Sequence, residues 1–145
     1  MLTKKIFKLI LLLSTFVIST KLLADPDIKI ENAYIESTNV GEDMSVAYMS
    51  LLSHEDLTLT EITSSKIKTI EMHNTIIDKG IIKMRMMDQI KITHDQIFKF
   101  KSGENHLMLM DFKGPLKSGQ KINLTFHFKN KKNQLINKSI DVTIK

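Results

Sequence analysis

Every second residue is apolar in several short segments of this chain, and this two-residue period is the feature that most restricts its fold. The segment 121–129 is the clearest case, with apolar residues at positions 122, 124, 126 and 128. Successive side chains of a β-strand point to opposite faces of the sheet, so the pattern predicts a strand with one buried face. The segment 140–144 repeats the pattern near the C-terminus.

Similar short segments account for most of the chain. We predict further strands at 28–30, 44–52, 57–64, 66–74, 80–87, 96–101 and 106–112. Turn signals such as Asp78-Lys79-Gly80 separate them. No window of 12 or more residues has a capped 3.6-residue period, although 45–52 alone is also compatible with a helical turn or two. Short strands at this spacing predict an all-β fold with one domain, an antiparallel sandwich or a barrel.

The first 24 residues are interpreted as a secretory signal peptide. Three lysines in Met1–Lys8 precede an apolar run at 9–18, and Leu22-Leu23-Ala24 offers a cleavage site. The apolar run is shorter than the ~20 residues that span a bilayer. We therefore expect cleavage after Ala24, export to the periplasm, no membrane span in the mature protein and a single domain at 25–145. An uncleaved anchor is the alternative.

Charge and cysteine content exclude several classes of function. The leader carries four lysines and no acid, so its removal lowers the formal charge from +5 to +1. A nearly neutral chain argues against a nucleic-acid partner, since phosphate binding needs a basic excess. The chain has no cysteine, so disulfides and thiol chemistry of its own are excluded. Any soft metal ligand must therefore be methionine or histidine.

Methionine and histidine are concentrated in the middle of the chain. Six of the nine methionines fall between residues 72 and 110. On the predicted strand 106–112, His106, Met108 and Met110 share one face, and Met84 shares a face with Met86 on 80–87. Thioethers select copper(I) among the common metals, and imidazole suits it as well. Copper(I) is thus the first metal to consider.

The spacing of these residues resembles that of a known family. His73, Met84, His106 and Met108 form the pattern H-x10-M-x21-H-x-M, flanked by GIIKMRM and HLMLMDFKGPLKSGQ. In this the chain is similar to the periplasmic copper chaperones called PCuAC, over nearly the whole sequence from about residue 28. Family members commonly carry a methionine two residues after the first histidine, where this chain has Thr75.

The resemblance implies a cupredoxin-like β-sandwich that binds one copper(I) through two His and two Met. The implied ligands are His73, Met84, His106 and Met108. Apart from the resemblance, we expect Met86 or Met110 to shield the metal or to serve as spare sulfur. The implied role is delivery of copper to the copper site of cytochrome c oxidase during assembly, often beside a Sco-type thiol protein.

Other interpretations of the same residues remain open. A methionine in a strand is usually core filler, so the chain could be a Met-rich interaction module without metal. Copper storage or detoxification would use the same site without delivery. No nucleophile motif, pair of acids or phosphate loop is present, and we do not expect an enzyme. His54, His94 and His127 are expected to be surface residues.

Overall fold

The computed structural model describes residues 27–145, so the predicted leader at 1–24 and its cleavage site lie outside the described residues. These residues form ten strands and no helix, and hence no helix that could cross a membrane. The strands are β1 (Ile28–Ile35), β2 (Met44–Ser53), β3 (Leu57–Thr63), β4 (Ile67–Asp78), β5 (Ile81–Met87), β6 (Ile90–Ile92), β7 (Phe98–Phe100), β8 (His106–Phe112), β9 (Lys121–Asn130) and β10 (Leu135–Ile144).

All ten strands belong to one mixed sheet that folds back on itself. The hydrogen-bonded order is β5-β4-β8-β2-β1-β10-β9-β3-β6, with β7 paired to β2 beside β8. Only the β1–β10 pair is parallel within this part of the chain. Strand β3 contacts β4 and β2 contacts β6 without pairing, so the two halves of the sheet face each other. The predicted sandwich is confirmed, with one parallel pairing that the alternation could not reveal.

The space between the two halves holds a single hydrophobic core. Strand β9 contributes Leu124, Phe126 and Phe128, all fully buried, from the face that its alternation predicts. Leu107 and Leu109 of β8 are also fully buried and belong to the same cluster. Because the described residues contain no disulfide, burial of apolar surface in this core supplies most of the stability.

Most predicted strands form at the predicted positions, and the differences have simple causes. Residues 45–52 lie in β2, so the helical alternative is wrong. Strand β6 has only three residues, too few to show a period, and was not predicted. Strand β10 begins at Leu135, five residues before the predicted start. Its first half was missed because it is largely exposed and has few apolar residues.

A tight turn joins β4 to β5 at the predicted Asp78-Lys79-Gly80 segment. Both turn residues have positive φ, 51° at Lys79 and 79° at Gly80. Two such residues in a row make the type I′ turn whose twist matches that of a hairpin. The turn sets the register of β4 and β5, and with it the row of side chains that each strand presents.

Adjacent residues of β8 should differ sharply in their effect on folding. Leu109 is fully buried, so Leu109→Ala should lower the free energy of unfolding by about 2–5 kcal/mol through lost burial and a cavity. Met110 points to the other face and is only partly buried, so Met110→Ala should cost about 1 kcal/mol or less. Urea denaturation with unchanged m-values measures both. Equal losses would contradict the assigned faces.

Candidate metal centre

One face of strand β8 packs in the hydrophobic core, and the other face carries histidine and methionine. Leu107 and Leu109 point into the core, so His106, Met108 and Met110 point outward. The row stops at Asp111, whose φ is 58° and breaks the alternation. Phe112 thereby returns to the core instead of extending the outer row. The outer face of β8 is thus limited to one imidazole and two thioethers.

Strands β4 and β5 lie on one side of β8 and bring the second histidine beside the first. His73 is the Cα partner of His106 across the β4–β8 pair, and their ring centroids are 5.8 Å apart. On the other side of β4, His73 faces Met86 and Thr75 faces Met84. Directly paired residues point to the same face of a sheet. The outer face therefore carries a row of His106, His73 and Met86 across three strands.

The four predicted ligands all lie on this outer face. Met108 is two residues from His106 on β8, and Met84 is diagonal to His73 across the β4–β5 pair. Met84 and His106 also line one cavity of about 300 Å³. His73, Met108 and Met86 are not among the residues that line this cavity. The cavity therefore brings together two of the four predicted ligands, whereas Met86 is the direct partner of His73 across the β4–β5 pair.

The imidazole of His106 is held in one tautomer by the backbone. His106 is buried, with 5% of its surface exposed, and its Nδ1 atom lies 3.0 Å from the carbonyl oxygen of Glu104. A carbonyl can only accept, so Nδ1–H must donate. In the neutral ring Nε2 then carries the free lone pair. A backbone carbonyl that fixes a histidine in this way is the usual second partner of a metal-binding imidazole.

The imidazole of His73 is fixed in the opposite tautomer by a carboxylate. Its Nε2 atom lies 2.8 Å from Oε2 of Glu71, and a carboxylate can only accept, so Nε2–H donates. Nδ1 is then the lone-pair nitrogen of the neutral ring. This atom is buried and has no hydrogen-bond partner, the only such side-chain nitrogen or oxygen in residues 27–145. An unpaired buried lone pair is costly unless a ligand occupies it.

Apolar and neutral side chains surround the shared cavity. Val46, Ile77 and Ile82 line it together with Tyr48 and Thr75. Burial raises the pKa of Tyr48, against the smaller opposing effect of a hydrogen bond with Ser102, so its phenol stays uncharged at neutral pH. Such walls favour a soft, weakly hydrated ion over one that needs oxygen ligands.

Nitrogen and oxygen donors alone do not make a metal site in the described region. No group of three or more side chains from His, Cys, Asp and Glu between residues 27 and 145 is placed to hold a metal ion. A site here must therefore include thioethers. Since the two imidazoles lie beside methionines, the outer face of β4, β5 and β8 offers that combination.

The remaining histidines lie elsewhere, as expected. His54 and His94 are exposed and contact Asp95 in loops. His127 hydrogen-bonds to Thr63 and Asn137 across β3, β9 and β10. Glu71 was not among the predicted site residues. Its spacing of two from His73 on one strand places both side chains on one face, and that signal was present in the sequence.

The chain is similar in sequence to a family model and to a bacterial relative. The family model described as putative lipoprotein LpqE-like matches residues 28–140. The uncharacterized protein RP573 of Rickettsia prowazekii is 34% identical over 96 residues, which are 64% of this chain. The matched region spans 53% of RP573, about half the length of that relative.

Two solved structures have the same fold. The copper-bound PCuAC domain from PmoF2 superimposes with a TM-score of 0.64 at 19% identity, over 81% of this chain and 92% of that domain. The solution structure of CuI-DR1885 from Deinococcus radiodurans gives 0.58 at 21% identity, over 87% and 81% of the two chains. The predicted cupredoxin-like fold and the resemblance to PCuAC domains are confirmed.

The two histidines should differ in tautomer when both rings are neutral. Long-range ¹H–¹⁵N spectra should identify His73 as the Nε2–H form and His106 as the Nδ1–H form, because their acceptors differ. Glu71→Gln removes the carboxylate, so it should weaken this preference at His73 and leave His106 unchanged. His94, exposed in a loop, serves as a reference. The same tautomer at both rings would contradict the assigned hydrogen bonds.

Proposed function

This chain belongs to the LpqE-like family, and from its fold and the geometry of its outer sheet face we propose that it is an exported copper(I) carrier and not an enzyme. The ion is cargo and is held by His73, Met84, His106 and Met108. The observation that carries the proposal is the unpaired Nδ1 atom of His73, buried beside His106 on a face that also presents methionines.

The donor set suits copper(I) better than other metals. Two thioethers and two imidazoles are soft or borderline neutral ligands, whereas copper(II) prefers square-planar nitrogen and oxygen. His73 offers Nδ1 and His106 offers Nε2, because Glu71 and the Glu104 carbonyl engage the other nitrogens. The copper-bound state of similar domains from PmoF2 and DR1885 is consistent with this choice.

The electrostatics of the site suit transfer. The four ligands are neutral, so the ion keeps its single charge. The nearby carboxylate of Glu71 contacts His73 and lies directly opposite Met108 across the β4–β8 pair. A thiolate acceptor carries a full negative charge and is a softer ligand, so it can displace the thioethers one at a time. We propose that the recipient is the copper site of cytochrome c oxidase or a Sco-type thiol protein, in the periplasm.

Copper storage and a metal-free interaction module are the alternatives. The second is favoured by one observation, since Ile77, Ile82, Met84 and Met86 leave the β4–β5 hairpin with an exposed apolar surface. Large exposed apolar patches often mark contact surfaces. An interaction module would bind its partner equally well with and without a copper(I) chelator.

Anaerobic titration of copper(I) against a chromogenic chelator tests the ligand assignment. We expect one ion per chain, and Met84→Ala or His106→Ala should lower the affinity at least about tenfold, since even outer-shell changes cost 10–100-fold. Met87→Leu, on the core-facing side of β5, is the control for loss of a thioether, and His94→Ala controls for loss of an imidazole. Equal affinity in all four variants would refute the site.

Transfer to a thiol acceptor distinguishes carriage from storage. The copper(I)-loaded protein should give up its ion to a two-cysteine peptide within the mixing time of a chelator assay, since thiolates are softer and charged. Deletion of the gene should then lower oxidase activity at limiting copper. Normal oxidase activity together with copper sensitivity would instead support storage.

A further inference from the structure

A second group of methionines lies farther along the outer face, beyond the proposed copper site. Met44, the first residue of β2, is the Cα partner of Met110 across the β2–β8 pair. Direct partners in an antiparallel pair have Cβ atoms about 4.5–5.5 Å apart, close enough for two thioethers to share one ion. Neither side chain has a role in the core, since Met44 is 53% exposed and Met110 is only partly buried.

Met108 connects this pair to the proposed copper site. It lies between His106 and Met110 in the outward row of β8, and its partner across β2 is Val46, which is two residues from Met44. Met108 is therefore diagonal to Met44, at a separation that flexible side chains can span. The thioether of Met108 can reach toward His106 or toward the methionine pair.

We propose that Met44, Met108 and Met110 form a second, weaker copper(I) site, to which the ion passes from the histidines through Met108. The inference rests on the proposed function for its role, but its choice of metal depends only on the three thioethers. In the step, the copper–nitrogen bonds to His73 and His106 and the copper–sulfur bond to Met84 break. Copper–sulfur bonds to Met44 and Met110 form, and the bond to Met108 is kept. Copper remains copper(I) throughout, and no proton or electron is transferred.

In the described part of the chain, carboxylates but no imidazole lie beside the second group of methionines, so its soft donors are thioethers. Glu71 is the Cα partner of Met108 across the β4–β8 pair, and its carboxylate accepts the hydrogen bond from His73. On the side of β4, the partner of Met110 is Thr69, whose hydroxyl donates a hydrogen bond of 2.8 Å to Asp111. No imidazole lies on this part of the face, because His106 is four residues from Met110 and the next histidine on the row is His73. A site of sulfur alone loses the nitrogen ligands and should hold copper(I) more weakly than the histidine site.

Exposure supports a role in release. His106 is 5% exposed and Met44 is 53% exposed, so an ion that moves along β8 goes from a buried position to one that an acceptor can reach. Met44 also begins its strand, directly after the turn residues 40–41 and the exposed residue Asp43. The ion would thus reach the end of the sheet face nearest the 36–43 loop.

Silver(I), a redox-stable probe for copper(I), tests the second site in protein labelled with ¹³C at the methionine methyl groups. In the His73→Ala/His106→Ala double variant, one equivalent of silver should shift the methyl signals of Met44, Met108 and Met110. The signal of Met49, buried in the core, should not move. Adding Met44→Leu and Met110→Leu should raise the silver needed to shift Met108 at least tenfold, whereas adding Met87→Leu should not.

Wild-type protein provides a second test that does not depend on the double variant. Here the first equivalent of silver should shift Met84 and Met108, and excess silver should shift Met44 and Met110, because the first ion already holds the shared Met108. Unmoved Met44 and Met110 signals in excess silver, in wild type and in the double variant, would overturn the second site and leave the proposed function intact. Unmoved Met84 with shifted Met44 and Met110 would instead refute the histidine site alone.

Discussion

The strict alternation of side chains along β8 is the constraint on which the rest of this molecule depends. Leu107 and Leu109 are fully buried in the core, and only one pairing register of β8 places both of them there. A slip of one residue would bury His106 and Met108 in the core and expose the leucines. Core packing thus fixes where the donors point, and the site takes its geometry from contacts on the other face of the sheet. The left-handed Asp111 ends the donor row, because Phe112 is needed in the core.

This arrangement lowers stability at His73, where a buried nitrogen has no hydrogen-bond partner among residues 27–145. An unsatisfied buried polar atom typically costs about 1–3 kcal/mol, and Nδ1 of His73 has no partner within the described part of the chain. A chain selected for stability alone would be better served by an apolar side chain there. Glu71 makes the arrangement specific, because its hydrogen bond to Nε2 turns the lone pair of Nδ1 away from the carboxylate. The strand pair therefore holds a preformed donor at a cost that a bound ion would offset.

The sequence predicted most of the strands because their period is local, but it could not give the pairings between distant strands. The segments 106–112 and 121–129 carry their own alternation and were placed correctly. Strand β6 is too short to show a period, and the first half of β10 is too exposed. The pairing of His73 with His106 joins residues 33 positions apart, and only the resemblance to PCuAC domains brought them together in advance. The pairing of Met44 with Met110 had no such guide, because Met44 lies outside the pattern H-x10-M-x21-H-x-M.

The donors on the outer face differ in exposure, and the difference suggests a direction in which an ion would move across this face. His106 is buried and the side chain of His73 is only 14% exposed, whereas Met84 on β5 and Met44 on β2 are both more than half exposed. Thioethers bind copper(I) with less electrostatic attraction than thiolates and exchange readily, so exposed methionines suit the first and last contacts with an ion. Imidazoles held by hydrogen bonds suit the intermediate position, where the ion must be kept from water. We therefore expect the proposed copper(I) ion to bind first to the exposed thioether of Met84, then to the imidazoles of His73 and His106, and last to the exposed thioether of Met44.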